Sequence, residues 1–407
     1  MLRACFVDAV RGFDLEGRVE RAVRERIDSR RAPILIALGK SAAVMARGAM
    51  RVIEPSVLVV SRPRRAMGVS AAMRTEAIAR GVTLHEFATG HPVPDDESVR
   101  SARFVKTTLE AADADAPVIV LVSGGASAAL CLPLDGLALD EYAQIVKSLL
   151  GSGLAIESVN ALRGRLDAMK HGGLAHYARG EVHTFIAADV LGDEATVIAS
   201  VGSGPTVERD VGLDAETIAR LPDRVRAMAI GRTTHSSVRV TPPVLVASPH
   251  DFRGAVAARL VEHFEIQPLV DATSDVDSLA ATYRARIDTL VAGGAFIAIG
   301  EPTVTLPSHP GRGGRAGRLA LELVSALEAR HGVAFLAAAS DGVDGESGHA
   351  GAVIDAWSAG ALRHDGIDLA ETLRAFDDAR AHEAIGSLID VGPTGLNLLD
   401  VHVLARG

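Results

Sequence analysis

The sequence predicts an α/β protein with a largely parallel sheet in its N-terminal part and a second α/β unit after it. Three observations carry this. A short apolar run, then a Gly-rich or acidic turn, then a helical run recurs along the chain, as at Ile34–Leu38, Val118–Val122 and Thr184–Ala187. That grammar implies parallel strands with functional loops at their carboxyl ends. Aromatic residues are only 3% against 48% hydrophobic residues overall, so the core is aliphatic and lets helices lie directly on strands. Finally, 407 residues are enough for two or three domains that each bury a core.

Taken in order, residues 15–31 are rich in Arg and Glu with apolar positions at helical spacing, which predicts an exposed amphipathic helix that Pro33 stops. Ile34–Leu38 is a short buried strand, followed by Gly39-Lys40-Ser41 and a helix over Ala42–Met50. Val57–Val60 is the next strand. Val118–Val122 leads into Ser123-Gly124-Gly125-Ala126-Ser127 and a further helix start, and Thr184–Ala187 leads into Asp189-Val190-Leu191-Gly192-Asp193. Over 206–245 the texture turns charged and Thr/Ser-rich, and after Thr241-Pro242-Pro243 a strand begins at Val244–Ala247. This predicts a first domain over 1–235, a connecting strand–helix segment over 236–290 and a second domain over 291–407. The second holds a strand at Phe296–Ile299, a Gly/Arg loop, a helix over Ala316–His331 and a strand at Ala334–Ala339. Asp341-Gly342-Val343-Asp344-Gly345 follows that strand, and Pro393-Thr394-Gly395-Leu396-Asn397 opens the last turn.

The net charge of −9 argues against a general nucleic-acid binder but not against a small anionic substrate, which local arginines can attract. Cys5 and Cys131 stand far apart and suggest neither a zinc site nor a disulfide framework. No apolar run reaches membrane-span length and no leader pattern is seen, so the expectation is a cytoplasmic protein with no membrane partner.

Pro310-Gly311-Arg312-Gly313-Gly314-Arg315 is the most informative stretch. Its glycines can turn backbone N–H groups toward one point, and two guanidinium groups beside such a concavity favour a phosphate. Glu301-Pro302-Thr303-Val304-Thr305 reads as the strand end that feeds it. Gly39-Lys40-Ser41 puts a lysine beside helix amides without forming a Walker A loop. Ser123, Gly124, Gly125 and Ser127 offer amide and hydroxyl donors to an anion, although a tight strand-to-helix turn uses the same residues. Asp189 and Asp193 in one turn suit either Mg²⁺ or a helix cap plus a turn aspartate, and Asp341 and Asp344 repeat the arrangement. Ser203-Gly204-Pro205-Thr206 gives another anion-compatible turn. Asn160, Arg163 and Lys170 lie on a polar stretch expected to be helical; Arg163 and Lys170 would share one face, either gripping a substrate carboxylate or simply solvated.

These segments form an ordered set with the intact Gly90-His91-Pro92-Val93-Pro94-Asp95, Gly300-Glu301 with Thr303-Val304, Ala350-Gly351-Ala352, Gly392-Pro393-Thr394-Gly395, Asn397 and Asp400. The set resembles the D-glycerate 2-kinases, whose glycerate-kinase N-terminal domain is followed by a C-terminal MOFRL domain. The resemblance covers nearly the whole chain and implies a Rossmann-like αβα N-terminal domain, a second α/β domain and an active site in the interdomain cleft. It implies ATP and a divalent metal such as Mg²⁺ as cofactors and transfer of the γ-phosphoryl group to the 2-hydroxyl of D-glycerate. Lys40 and Arg315 are then expected to act in transfer, with Asp189 orienting the attacking hydroxyl or the metal. Ser123, Gly124, Gly125, Ser127, Gly311, Arg312, Gly313 and Gly314 would hold the phosphates. Asn160, Arg163, Lys170, Glu301 and Asn397 would hold the substrate, and Asp193, Asp341 and Asp344 the metal. The partner expected is a small hydroxy acid, with no nucleic acid; a homodimer is left open.

The departures cluster in the motifs. Ala316, Gly317 and Arg318 stand where the family has Asn-Gln-Glu, and Arg165, Leu166 and Asp167 where it has His-Leu-Ser. Lys170, His171, Gly172 and Gly173 replace Lys-Gly-Gly-Arg, and Ala188 opens the family's Ser-Asp-Val. Glu346, Ser347 and Gly348 with His349 replace Pro-Thr-Asp, while Leu396 and Leu399 flank Asn397. If Arg165, Arg318 and His349 face the site, a bulkier or more anionic acid is expected; an inactive paralogue that keeps ligand binding is the alternative. A hydroxypyruvate reductase would need Gly-x-Gly-x-x-Gly after a strand, and no strand here is followed by it.

Overall fold

The computed structural model describes residues 1–27, 31–150, 156–208, 212, 218–219, 221–231, 239–267 and 270–407. Residues 28–30 of the expected first helix and 232–238 of the polar stretch lie outside these. The chain forms two compact units, one of Leu15–Ala247 and one of Met1–Asp14 with Ser248–Gly407.

The first unit is built on six parallel strands: β1 (Ile34–Leu38), β2 (Val57–Pro63), β3 (Thr83–Thr89), β4 (Val118–Ser123), β5 (Val182–Ala187) and β6 (Val244–Ala247). Their order, β3-β2-β1-β4-β5-β6, is that of a Rossmann-type sheet. β1, β4 and β5 are buried at every position. β1 and β4 therefore read as nearly continuous apolar runs, because helices cover both faces of a parallel sheet, whereas β5 also buries His183 and Thr184. β3 is an edge strand, buried only at Phe87 and Thr89, and its mixed polarity left it out of the sequence reading. The helix Asp96–Ala111 after it starts from a capping box in which Asp95 and Ser98 bond each other's backbone.

The second unit has seven strands: β7 (Glu265–Ile266), β8 (Val270–Asp271), β9 (Gly294–Gly300), β10 (Val333–Ala339), β11 (Gly351–Asp355), β12 (Leu388–Ile389) and β13 (Asp400–Arg406). The path β12-β11-β10-β13-β9-β7 is mixed, with β8 also beside β9. The final strand, β13, lies in the middle, antiparallel to both β9 and β10. The helix Arg315–Leu327 buries Leu319, Leu323, Val324 and Leu327 in the core beneath this sheet.

The units divide at 247/248, later than the boundary expected at 235, because β6 pairs with β5 through Phe185↔Val244 and Ile186↔Leu245. The expected connecting segment over 236–290 does not stand apart. The helices Pro249–Leu260 and Val276–Thr289 belong to the second unit. So does the N-terminal helix Leu2–Gly12, which is anchored by an edge-to-face contact between Phe6 and Phe252 with centroids 6.1 Å apart. No helix among the described residues is long and apolar enough to cross a membrane.

Candidate active site

In an open parallel sheet, ligands bind where the strand order reverses, at the carboxyl ends of the strands. Here that point lies between β1 and β4, and their following loops meet there. Gly39 has φ of +100°, and a Cβ on it would lie 2.5 Å from the Ser123 carbonyl and 2.6 Å from that of Gly124, so only glycine fits. The Lys40 N–H donates to the Gly124 carbonyl at 2.8 Å and the Gly39 N–H to that of Ser61 at 2.9 Å. Ser123 is fully buried; its Oγ accepts the Ser41 N–H at 3.0 Å and donates to the Leu38 carbonyl at 2.9 Å.

Two expectations change. Ser123 is a clamp between strand ends rather than a phosphate ligand, and the amides of Gly39 and Lys40 are taken up by the neighbouring loops. What this loop can offer an anion is the half-buried Lys40 side chain, whose stem passes Gly125. Among the described residues, no acceptor pairs with the amides of Gly125, Ala126 and Ser127, which open the short helix Ala126–Ala129. These donors and Lys40 are the anion-receptive part of this unit.

Ser127 Oγ bonds Ser203 Oγ at 3.0 Å, and that hydroxyl donates to Asn160 Oδ1 at 3.4 Å. The structure thus joins Ser127 and Asn160 through a residue that itself sits at φ of +60°, between the left-handed Gly202 and Gly204. The Ser203-Gly204-Pro205 turn presents carbonyls, not an anion nest: His171, Gly172 and Leu174 donate to them at 3.1, 2.8 and 3.0 Å.

Lys170 does not share a helix face with Arg163. The helix Ile156–Leu166 ends before it, and Lys170 lies in the following turn, 1% exposed. Its Nζ pairs with the fully buried Asp167 at 3.1 Å and donates to the Leu130 carbonyl. Asp167 also accepts the N–H groups of Leu132 and Met169 at 3.1 and 2.9 Å. Neither the substrate grip nor the solvated helix describes this pair, which is an internal brace. Arg163 is buried too, reaching the Pro92 carbonyl at 3.5 Å.

The carboxylates expected to hold a metal are each engaged in the fold of their own unit. Asp193 caps the helix Glu194–Ser200, accepting from Thr196 N at 2.9 Å and Thr196 Oγ1 at 3.1 Å, and these bonds hold its carboxyl below the usual range. Asp341 accepts the Val343 N–H at 3.0 Å, and Asp344 is fully buried under a helix start. Among the described residues no group of three or more His, Cys, Asp or Glu side chains is placed to hold a metal ion. Asp189 is half-buried just beyond β5.

In the mixed-sheet unit the Gly/Arg loop is indeed a nest for anions, but the anions are side chains of this protein. The N–H groups of Arg312 and Gly314 donate to Asp377 at 3.0 Å and Asp378 at 3.2 Å, and those of Ala316 and Gly317 to Asp344 at 3.1 and 2.8 Å. The glycines serve close approach rather than unusual dihedrals: none of Gly311, Gly313 and Gly314 lies in the left-handed region. A Cβ on Gly311 would lie 2.6 Å from Asp377 Cβ, and one on Gly313 or Gly314 would overlap Asp378 or Asp344. Arg312 is exposed and paired with Glu383 at 2.6 Å. The segment 301–305 is not strand; β9 ends at Gly300, and Thr303 only bridges to Asp275.

Arg315, at the first turn of its helix, is held from two sides. Asp400 takes its Nε at 2.6 Å and its NH2 at 3.1 Å, and Glu301 takes NH1 at 2.8 Å. Burial opposes its charge, but Asp400 and then Glu301 outweigh that and hold the guanidinium above its usual range. Behind it, burial and then the Asp400 charge push Asp344 up to about 7, and burial and then Asp344 push Asp378 up to about 8. His382, buried between the Gly317 carbonyl at 2.9 Å and Ser387 Oγ at 2.7 Å, is lowered by burial to about 4. His402, bonded to Tyr283 Oη at 2.8 Å, is lowered by burial and then Arg315 to about 3.

A pH dependence follows from these groups. The two raised carboxyls favour folding fully below their ordinary 3.8, and that contribution is lost as pH climbs through about 7 and about 8. The two lowered histidines contribute above their ordinary 6.5 and lose that contribution as pH falls. Above 6.5 the carboxyls act alone among the four. Stability of this unit is therefore expected to fall from pH 6.5 to 8.5 in denaturant unfolding, with a shallower slope for Asp378→Asn. An unchanged slope in that variant would place the proton uptake elsewhere.

The altered positions are fastened to the protein as well. Arg318 donates to the Leu373 carbonyl and pairs with Glu322 at 2.8 Å, and His349 lies 3.8 Å from Glu383. Asn397 is buried in the turn before β13, where Leu398 N–H donates to Ser340 Oγ at 2.7 Å. Sequence reasoning left Asp377, Asp378, His382 and His402 unassigned and gave Asp400 no role. The only local signal for them was the run of glycines, each marking a place where another chain segment comes close.

Comparison with known proteins places these features in a family context. Residues 1–239 match a family model described as a domain of unknown function, DUF4147, and residues 294–400 match the MOFRL family. A relative from Agrobacterium vitis that carries a provisional hydroxypyruvate reductase name is 32% identical, covering 100% of this chain and 94% of its own. The D-glycerate 2-kinase of Thermotoga maritima is 28% identical over 94% of this chain and 93% of its own. A crystal structure of glycerate kinase from Thermotoga maritima superposes with a TM-score of 0.82 at 25% identity, covering 100% of this chain and 98% of that one.

Proposed function

The chain belongs to the D-glycerate 2-kinase family, in which a DUF4147 domain is followed by a MOFRL domain, and on that premise we propose that it is an ATP-dependent kinase acting on the 2-hydroxyl of D-glycerate or a related small hydroxy acid. The observation that supports this most is the convergence of the Lys40 and Gly125–Ser127 loops at the switch point of a Rossmann-type sheet. Phosphoryl transfer asks for positioned positive charge and N–H donors around the moving group, and little covalent chemistry from the protein.

The acceptor oxygen forms a bond to the γ-phosphorus as the bond to the β–γ bridging oxygen breaks and ADP leaves with that electron pair. Lys40 and the Gly125–Ser127 amides stabilise the oxygens of the triphosphate. Asp189 orients the attacking hydroxyl and receives its proton. Asn160, joined to Ser127 through Ser203, orients the acceptor. No step is routed through a protein-held metal, since Asp193, Asp341 and Asp344 serve the fold; magnesium enters the assay with the nucleotide.

A reductase shares the strand order but would use a glycine-rich turn after β1, where this chain has Gly39-Lys40-Ser41 with its first amides engaged. The test is coupled ADP release with ATP, Mg²⁺ and a panel of hydroxy acids, beside NADH and NADPH oxidation with hydroxypyruvate. D-glycerate-dependent ADP release is expected. Dinucleotide oxidation without it would replace the kinase reading by a reductase, and ATP-raised melting temperature without any turnover would leave an inactive paralogue.

A further inference from the structure

Arg315 is claimed by two carboxylates of very different standing. Asp400 opens β13 directly opposite Gly300, the last residue of β9, and Glu301 is the next residue along. The ends of two neighbouring strands therefore set one carboxylate on each side of the guanidinium. Asp400 is 1% exposed and takes two nitrogens in a fork. Glu301 is 48% exposed and takes the remaining terminal nitrogen, NH1. A buried bidentate pair keeps its geometry, whereas an exposed one-point pair competes with water and is readily exchanged.

We propose that Asp400 is the positioning residue for Arg315 and that Glu301 is a resident counter-ion which an incoming phosphate group displaces from NH1. Glu301 is then not a substrate ligand; it holds the place of one. The charges around Arg315 require the exchange. Asp400 already matches the guanidinium charge, and the buried carboxyl of Asp344 lies behind. A phosphate arriving with Glu301 in place would meet two carboxylates on one guanidinium, a net negative site that repels it, and the departure of Glu301 removes that repulsion. With Glu301 turned out to water, the phosphate takes over NH1 while the Asp400 fork keeps the guanidinium from following it. The identity of the phosphate as the one being transferred rests on the kinase reading; the exchange itself does not.

Pyrophosphate is the probe, titrated by calorimetry into the full chain at fixed ionic strength. Glu301→Gln is expected to tighten its Kd about 5-fold, the scale of releasing one exposed ion pair, and the gain is expected to vanish in an Arg315→Ala background. Asp400→Asn removes a negative charge but also the fork that fixes Arg315, so its binding is expected to tighten less than that of Glu301→Gln, with melting temperature recorded to confirm folding; an equal or larger gain overturns the positioning role of Asp400. Equal or weaker binding by Glu301→Gln, persistence of its gain without Arg315, or no binding by any form overturns the proposal. If the pattern holds but no hydroxy acid supports ADP release, the kinase reading fails and the exchange stands. If turnover is present and Glu301→Gln leaves Kd unmoved, the exchange fails and the kinase reading stands.

Discussion

Replacing Lys170 by methionine will cost the parallel-sheet unit about 3–5 kcal/mol, the usual consequence of stripping one partner from a buried ion pair. The ammonium is 1% exposed and lies 3.1 Å from an Asp167 that is fully buried. Without it, Asp167 keeps the Leu132 and Met169 amides and the Tyr142 hydroxyl, but its charge loses the buried ammonium in a region lined by Cys131, Leu162 and Leu166. Removing both partners is a different experiment. Asp167→Leu with Lys170→Met takes away the charge that needed matching, and is expected to recover most of the loss. Urea unfolding of the two single variants and the double gives the coupling directly. A Lys170→Met protein as stable as the parent, with an altered KM for its acceptor, would return Lys170 to the substrate.

The contrast between Lys170 and the strands shows what the sequence could display. β1, β4, β9 and β10 were legible because strands buried on both faces are nearly continuous apolar runs, and β5 through its apolar end Phe185–Ala187. β13 is as central as any of them, yet it escaped. Its residues Asp400 and His402 are buried because Arg315 and Tyr283 receive them, and those partners lie 85 and 119 residues earlier. A buried polar residue looks exposed until its partner is known. The same holds for the Gly/Arg loop. Its chemistry as an anion receptor was legible in Gly311, Gly313 and Gly314, but not the identity of the anion, since Asp378 arrives from 64 residues downstream. Asp193 was readable either way from one turn of sequence, and its bonds to Thr196 decide for the cap.

Lys40→Ala is expected to lower kcat/KM for D-glycerate by about 10²–10³-fold, the scale of removing one preorganised donor from a developing charge, while leaving the melting temperature close to that of the parent. The reason lies in how its loop is built. The loop is shaped by Gly39 packed on Ser123, the Lys40 N–H on the Gly124 carbonyl, and Ser123 Oγ between Ser41 and Leu38. Those bonds survive the truncation. The same bonds leave the Gly39 and Lys40 amides no capacity to replace the lost ammonium. Ser123→Ala should behave in the opposite way. Its hydroxyl is sealed from solvent, so its loss strips partners from a buried N–H and a buried carbonyl and costs roughly 1–3 kcal/mol of stability. If instead Ser123→Ala abolishes turnover without loosening the fold, and Lys40→Ala retains it, the division between scaffold and chemistry at the switch point is drawn the wrong way round. ADP release and thermal unfolding on the two variants, side by side, decide it.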